Sequence, residues 1–361
     1  MSKYHTQKSK ELRSQRSLLL FESGIKAEAT LKGYLYQLDK FSKFCKVIDY
    51  DSLVKIKPEK IQILIEDYLM ICKKKYRFGS IDNIFSSIQL FFTMNDVLLN
   101  FKKIRKMFPE REKPLGDKAY TTKDVKLLLD TTKTLKFKAL IHLLASSGVR
   151  AGSIHDMQIK DLNDVTNGCK SLRVYHDSKD EYHTFISPEC VQALDTYFEQ
   201  RTSKGEKLSE DSYLFLTDRN KKFLPEYVSI TMCRLAKKVH DRKITNSSRY
   251  DVMASHGFRK RFNSILKMRN DCNLSLSERL MGHSTSIQLD NSYFKPTLDQ
   301  LFSEYLKALP DLMIDESLKL KDELEKKQNE IEEYKLKDER ILLLESQLIE
   351  INALLKNLKT V

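Results

Sequence analysis

The stretch SHGFRKRF, residues 255–262, places a histidine and an arginine three residues apart at the start of a predicted helix. Residues at this spacing are neighbours on a helical face, so His256 and Arg259 could both reach one small anion. Lys260 and Arg261 add positive charge directly after them. The pair alone indicates little, because an ordinary basic helix contains such pairs by chance.

Four further residues that are common in catalysis flank this stretch. Arg150 follows a helix stop in SSGVRAGSI, Lys179 lies in a charged turn, His283 lies in RLMGHS, and Tyr293 lies in DNSYF. Each has a structural alternative: the arginine could cap the preceding helix, the lysine could be a solvated turn residue, the histidine could cap a helix, and the tyrosine could pack in a core. Only their joint order favours a common site.

The order Arg, Lys, His-x-x-Arg, Gly-His and Tyr, with these separations, resembles the catalytic domain of the tyrosine recombinase, or phage integrase, family. The resemblance covers residues 20–309 and is most specific from His256 to Tyr293. It implies a small helical domain and a catalytic domain that together clamp a DNA duplex. Two features depart from the family pattern. Ser153 stands where the family usually has an acidic residue, and the C-terminal segment lies outside the common core.

By this resemblance, Tyr293 is the nucleophile that cuts a phosphodiester. A tyrosine oxygen conserves the bond energy as a phosphotyrosine ester and can be displaced again. An unperturbed phenol has a pKa of about 10, so a base must take its proton, and the motif assigns His256 to that role. The leaving 5′ oxygen needs an acid, and Lys179 on a mobile hairpin is suitable. The register of the turn leaves the assignment of this lysine open.

The remaining motif residues are expected to stabilise the extra negative charge of the pentavalent phosphorane. Arg150 and Arg259 supply guanidinium groups that are always ionised, and His283 adds a further hydrogen bond to the phosphate. Arginines thus take the place that Mg²⁺ takes in other enzymes. The resemblance therefore implies a reaction that needs no metal, no other cofactor and no ATP.

Three functions remain open at this point. In a site-specific recombinase, protomers bind inverted half-sites in double-stranded DNA, each cleaves one strand through a 3′-phosphotyrosyl intermediate, and 5′ hydroxyl ends are exchanged and religated. A type IB topoisomerase uses a similar residue set to relax supercoils without partners. A DNA-binding protein could also have kept the fold and lost the chemistry; Ser153 permits this, and Tyr293 argues against it. The Gly-His pair, the helix after the tyrosine and the C-terminal tail favour the recombinase.

Composition agrees with a nucleic-acid partner. Lys and Arg number 63 against 50 Asp and Glu, which gives a net charge of +13 and a pI near 9.2, and such an excess favours polyanions. The six cysteines form no C-x-x-C pair, so neither a zinc knuckle nor a redox motif is supported. The basic N-terminus has no apolar segment of the secretory type, and no apolar run is long enough to span a membrane. We expect a soluble intracellular protein, cytoplasmic and associated with the nucleoid.

The chain divides by pattern into five segments. We expect a mainly α fold with a small antiparallel β-sheet, in which a helical core-binding domain precedes a mixed α/β catalytic domain and a long C-terminal helix. The predicted segments are a basic flexible arm at 1–17, a helical DNA core-binding domain at 18–108, a linker at 109–119, the catalytic domain at 120–310 and a coiled-coil tail at 311–361.

Three local patterns in the catalytic segment position the motif. Residues 171–187, SLRVYHDSKDEYHTFIS, alternate apolar and polar on both sides of a charged turn and predict a hairpin. The apolar helix FKALIHLLASSG stops at Gly148. The third pattern is a second helix, LDQLFSEYLKAL, which carries an apolar stripe and is closed by Pro310. By position in the family, residues 297–309 are expected to dock on a neighbouring protomer and link active sites.

The C-terminal segment is rich in Glu, Lys and Leu and contains no Gly or Pro from residue 315 to residue 358. Its last apolar residues alternate by three and four as a heptad seam does: Ile341, Leu344, Leu348, Ile351, Leu355 and Leu358. Leu324 and Ile331 lie in another phase, so the repeat is interrupted upstream. A self-associating coiled coil is the favoured interpretation, and a helix folded back on the body is the alternative. The tail and the basic arm favour a mobile-element integrase.

Overall fold

A computed structural model of the 361-residue chain describes residues 15–111, 118–239, 251–252, 254–283 and 293–315, with separate positions between 320 and 347. The chain divides into two compact units, Met1–Pro114 and Leu115–Val361. The division falls inside the stretch predicted as a linker, of which residues 112–117 lie outside the described residues. No helix of the described part is long and apolar enough to cross a membrane.

The first unit is built from helices in its described part. Their bounds are α1 Arg16–Ser23, α2 Glu28–Phe44, α3 Tyr50–Val54, α4 Pro58–Lys75, α5 Phe78–Met94 and α6 Phe101–Lys106. The first helix starts within the segment predicted as a flexible arm, and Ser17 is buried there with its amide donating to Asp51. The arm prediction was therefore two residues too long at its end, and residues 1–14 lie outside the described residues.

Aromatic side chains fill the core of the first unit. Phe41, Phe85, Phe91 and Phe92 are fully buried, and the ring of Phe92 meets those of Phe41 and Phe91 edge to face. The helices bury apolar residues at the spacing of one helical face, which is why the sequence pattern predicts them.

The second unit combines helices with one small sheet. Its helices are α7 Thr122–Thr131, α8 Leu135–Ser147, α9 Pro188–Ser203, α10 Tyr227–Val239, α11 His256–Met268, α12 Leu274–Leu280 and α13 Leu298–Leu312, with 3-10 turns at Ala151–Ser153 and Ile159–Asp161. The strands are β1 Leu162–Asp164, β2 Lys170–Val174 and β3 Tyr182–Ile186. The fold is mainly helical with an antiparallel sheet, as expected from the sequence.

The three strands form an antiparallel sheet in the order β1, β2, β3. The predicted hairpin consists of β2 and β3, and Val174 pairs with Tyr182 next to the connecting turn. The turn residues between them include Lys179, so the hairpin carries this lysine at its exposed tip. Strand β3 packs on α13 through Phe185, and on its other face Thr184 donates to the Ser147 carbonyl at the end of α8 at 3.4 Å.

Helix α13 differs from its prediction in length and in position. It continues to Leu312, two residues past Pro310, because a proline in the last turn costs only one backbone hydrogen bond. Its apolar stripe, expected to dock on a neighbouring protomer, is buried within the chain's own second unit. Tyr305 is fully buried, packs on Phe185 and donates from its hydroxyl to the Ser146 carbonyl at 3.0 Å.

The described positions of the tail are helical and their apolar side chains are exposed. These side chains are Leu320, Leu324, Ile331, Tyr334, Ile341, Leu342 and Leu344. At these positions the helix therefore does not fold back on the body of the protein. The seam residues from Leu348 onward lie outside the described residues, and the coiled coil stays a prediction.

Candidate active site

A polar cavity of about 480 Å³ lies between the hairpin, the segment after α8 and the end of α12. Its walls are formed by Arg150, Tyr175, Asp180, Glu181, Tyr182, Arg279, Gly282 and His283. Two residues of the predicted motif, an arginine and a histidine, therefore face one space although they are 133 positions apart in the chain. A concave, water-accessible site with converging cationic groups suits an anion.

Arg150 reaches across the cavity to the segment that carries His283. Both of its terminal nitrogens donate to the main-chain carbonyl of Gly282, each at 3.3 Å. It therefore does not serve as a cap for the preceding helix. Ser153, which stands in place of the usual acidic residue, donates from its hydroxyl to the Arg150 carbonyl at 2.7 Å. The serine thus holds the main chain of this arginine, while the carbonyl of Gly282 orients its guanidinium.

Arg259 is only 4% exposed and is not among the described residues that line the cavity. One terminal nitrogen donates to the Gly148 carbonyl at 2.7 Å and the other to the Met281 carbonyl at 2.5 Å. Burial lowers the pKa of this arginine, but a guanidinium in a protein stays charged. The residue therefore fixes a buried positive charge and ties together the segments that carry Arg150 and His283.

Two glycines allow these segments to approach closely. Gly148 and Gly282 both adopt the left-handed conformation, with φ of 60° and 59°. A Cβ atom on Gly148 would lie 2.6 Å from the ring of Phe262, and one on Gly282 would lie 2.4 Å from the ring of Tyr182. Neither position accepts a side chain without displacement of its neighbour. The Gly-His pair of the motif is thus a packing requirement as well as a sequence signature.

His283 is held by a carboxylate that sequence reasoning missed. Its Nδ1 lies 2.7 Å from Oε2 of Glu278, which also forms an ion pair with Lys267. Burial lowers the pKa of His283, and the hydrogen bond and charge of Glu278 oppose that change without reversing it. Burial also acts to raise the pKa of Glu278, but the hydrogen bonds from Lys267 and His283 outweigh it and the net pKa is lowered. The carboxylate therefore stays ionised beside the ring.

Four of the six motif residues are not among the described residues that line the cavity: the buried Arg259 and three exposed residues, His256, Lys179 and Tyr293. His256 is the first residue of α11 and is exposed. Lys179 is exposed at the tip of the hairpin, next to the cavity-lining residues Asp180 and Glu181. Tyr293 is 85% exposed. Their functional roles stay predictions.

One contact brings the segment of Tyr293 towards the cavity. Arg279, which lines the cavity, donates from its Nη2 to the main-chain carbonyl of Phe294 at 3.0 Å. The residue after the predicted nucleophile is therefore attached to the cavity wall, and a rotation of the exposed phenol needs no unpacking of a core.

Arg261, two residues after Arg259, has a structural role. It is buried and donates to the carbonyls of Asp311 and Leu312 at the end of α13, at 2.9 and 3.3 Å. The basic run after His256 therefore includes a side chain that holds the end of α13 and is not free to bind DNA phosphates.

Comparison with known proteins decides the family. The phage integrase family matches residues 118–298, half of the chain. The chain is a tyrosine recombinase. It belongs to the enzymes that break and rejoin DNA at specific sites. By sequence, no curated protein matches this chain.

Solved structures agree with the fold of this recombinase. The Tn1549 transposon integrase in complex with transposon right end DNA has a TM-score of 0.52 and 18% identity, covering 81% of this chain and 99% of that chain. A lambda integrase dimer bound to a COC′ core site has a TM-score of 0.51 and 15% identity, covering 80% and 98%. XerH recombinase in a post-cleavage complex with a palindromic difH substrate has a TM-score of 0.53 and 14% identity, covering 73% and 78%. At these identities the likeness shows the fold alone.

The recombinase site contains six side chains that the sequence pattern did not identify. Tyr175, Asp180, Glu181 and Tyr182 come from the hairpin, and Glu278 and Arg279 come from α12. The sequence carried one weak signal for Glu278 and Arg279 as site residues. Both lie within five positions of His283, and side chains at this spacing near the end of a helix lie close together.

Proposed function

We propose that this recombinase performs site-specific strand exchange through a 3′-phosphotyrosyl intermediate formed by Tyr293. The observation that carries the proposal is the placement of Arg150, Arg259 and His283. Arg150 donates to the Gly282 carbonyl, and Arg259 donates to the carbonyls of Gly148 and Met281, so these hydrogen bonds tie together the segments that carry Arg150 and His283. The Arg150 guanidinium and the His283 imidazole line one cavity, and the buried guanidinium of Arg259 is fixed between their segments.

In the proposed cleavage step, the Tyr293 oxygen attacks the scissile phosphorus and the bond from phosphorus to the 5′ oxygen breaks. His256 takes the phenol proton, and Lys179 gives a proton to the departing 5′ oxygen. Arg150 and Arg259 stabilise the charge that develops on the nonbridging oxygens, and His283 donates to the same phosphate. Religation is the reverse reaction, with the 5′ hydroxyl of another strand as nucleophile.

Because the phosphotyrosine ester keeps the bond energy, religation needs no ATP. The guanidinium groups supply the positive charge for which other phosphoryl-transfer enzymes use a metal ion, so we propose that the reaction is also metal-independent.

The proposed substrate is double-stranded DNA with inverted half-sites, bound by more than one protomer. The similar structures are described as a lambda integrase dimer on a core site, a lambda integrase tetramer on a Holliday junction and a transposon integrase on transposon DNA. We propose that the chain assembles on DNA as a dimer to tetramer, with its tail adding a protein contact, and that it serves as a mobile-element integrase.

A covalent trap tests the proposal. The protein is incubated with nicked DNA that carries a randomised segment, denatured in detergent and examined for DNA that migrates with protein. We expect an adduct from the parent and from Tyr334→Phe, which alters another exposed tyrosine, and none from Tyr293→Phe. Sequencing the trapped DNA then identifies the site.

Two results would overturn the proposal in different directions. Intact DNA binding without an adduct from the parent would indicate a DNA-binding protein without the chemistry. Efficient relaxation of arbitrary supercoiled plasmid by the monomer would indicate a topoisomerase.

A further inference from the structure

The tyrosine at the start of β3 has a polar group that the described structure does not use. The hydroxyl oxygen of Tyr182 is buried and has no hydrogen-bond partner among the described residues. A buried hydroxyl without a partner loses its hydrogen bonds to water and gains none in return. Such a group in a native site calls for an explanation, and one explanation is that the hydroxyl binds a ligand.

The position of this side chain makes a ligand the best explanation. Tyr182 lines the same cavity as Arg150 and His283, and its ring lies against Gly282, the residue whose carbonyl orients Arg150. The close ring contact fixes the ring from one side. The pairing of Tyr182 with Val174 in the sheet fixes its main chain.

The charges around the hydroxyl determine what it can do. Burial raises the pKa of Tyr182, and the positive charges of Arg259 and Arg150 oppose that rise without cancelling it. Arg259 lies near the oxygen, but the distances and angles of its N–H groups do not form a hydrogen bond with it. The phenol therefore keeps its proton at neutral pH. It is an uncharged hydrogen-bond donor that lies among cationic groups.

We infer that Tyr182 is a further phosphate-binding residue of this site, whose hydroxyl donates a hydrogen bond to one nonbridging oxygen of the scissile phosphate. The inference rests on the proposed strand cleavage. The guanidinium groups supply charge, and the phenol adds a directional contact that holds the phosphate in one orientation for attack by Tyr293. Two exposed carboxylates, Asp180 and Glu181, also line the cavity. The amide of Asp177 holds the Glu181 carboxylate at 2.8 Å, so that this negative charge is anchored on the turn.

The test compares Tyr182→Phe with the parent in single-turnover cleavage of the DNA recovered from the covalent trap. Removal of one hydrogen bond to a charged oxygen should slow cleavage about tenfold to a hundredfold. Tyr227→Phe is the matched control, since Tyr227 packs on Phe223 in the same unit and does not line this cavity. It should cleave at the parent rate. Thermal unfolding of both variants shows whether the fold is retained.

A substrate with a methylphosphonate at the scissile position separates a phosphate contact from a structural role. Each diastereomer replaces one nonbridging oxygen by a methyl group. For the diastereomer that lacks the oxygen bound by Tyr182, parent and Tyr182→Phe should cleave at the same rate, and for the other the difference should persist. An equal difference on both diastereomers and the natural phosphate would overturn the inference.

The two proposals fail differently. If the parent cleaves and Tyr182→Phe cleaves equally fast on the natural phosphate, the inference on Tyr182 is wrong and strand cleavage stands. If the parent forms no adduct at all, strand cleavage is wrong and the inference falls with it.

Discussion

Glu278→Gln tests how the site controls the protonation of His283. With Nδ1 donating to the carboxylate at 2.7 Å, a neutral imidazole has only an acceptor at Nε2. Donation from Nε2 to a phosphate therefore requires the doubly protonated ring. A carboxylate favours that form, and so does the phosphate when DNA binds. The glutamine keeps the size of the side chain and removes its charge.

The expected loss of cleavage rate in Glu278→Gln follows from the replacement of a charged hydrogen-bond partner of His283 by a neutral one. A hydrogen bond to a charged partner contributes about 1.5–3 kcal/mol and a neutral one about 0.5–1.5 kcal/mol. The His283 side chain is about one third exposed, so solvent screening places the difference near the low end, at about 1 kcal/mol. At neutral pH, cleavage by Glu278→Gln should then be about fivefold slower than by the parent.

The pH dependence gives the sharper readout. The active protonated form of His283 is present below its pKa and is lost as the pH rises through it. Because the hydrogen bond and charge of Glu278 raise this pKa against the effect of burial, the glutamine variant should lose activity at lower pH than the parent. Single-turnover cleavage measured between about pH 5 and pH 8 covers the range in which a histidine titrates.

Lys267→Met provides the control for this prediction. It removes the ion pair to Glu278 and leaves the carboxylate on the histidine, so its pH profile should lie closer to that of the parent. The reasoning fails if Glu278→Gln has the parent's rate and pH profile, or if Lys267→Met reproduces the glutamine variant in full.

Three further predictions concern the framework of the site. Gly282→Ala should lower the free energy of unfolding by about 1–3 kcal/mol in chemical denaturation, because the new Cβ meets the Tyr182 ring and φ is positive; an unchanged midpoint would contradict this geometry. Arg259→Lys should reduce the rate of single-turnover cleavage at least about a hundredfold and leave DNA affinity in gel-shift titration nearly unchanged, because a lysine cannot bind two carbonyls and still present a planar fork. Equal losses in binding and cleavage would argue against a role in the transition state. Tyr305→Phe should destabilise the protein by about 1 kcal/mol in thermal unfolding, since it leaves the buried Ser146 carbonyl without this donor, and a neutral result would mean that the bond contributes nothing net.

Much of the fold was predictable because local patterns agree with the final structure. Alternation on both sides of a charged turn predicted the hairpin that became β2 and β3, and the helix stop at Gly148 is a left-handed cap. The extent of α13 was wrong, because packing of Leu309 and Leu312 continues the helix past Pro310. Here tertiary contacts outweigh a local helix breaker.

The site was predictable only in part, since motif order identifies residues and not their contacts. The spacing of His256 and Arg259 suggested one shared anion, yet the arginine is buried on two carbonyls and the histidine is exposed at the helix start. Glu278 and Tyr182 were missed, because their roles arise from a helix end and a strand that meet only in the folded chain. Neither residue type is unusual enough to be noticed in a sequence.

The buried position of α13 has a consequence for the timing of assembly. Its inward side chains, Leu301, Phe302, Tyr305, Leu309 and Leu312, are covered by the chain's own second unit. At about 1.5–3 kcal/mol for each buried side chain, exposing them together costs on the order of 10 kcal/mol. An exchange of this helix between two copies would restore the same contacts, so the exchanged and unexchanged forms would differ little in free energy. The exchange itself would have to cross a high free-energy barrier, because the helix must first be exposed. Contacts between protomers that leave α13 in place can form quickly, whereas any assembly that exchanges it will form and dissociate slowly.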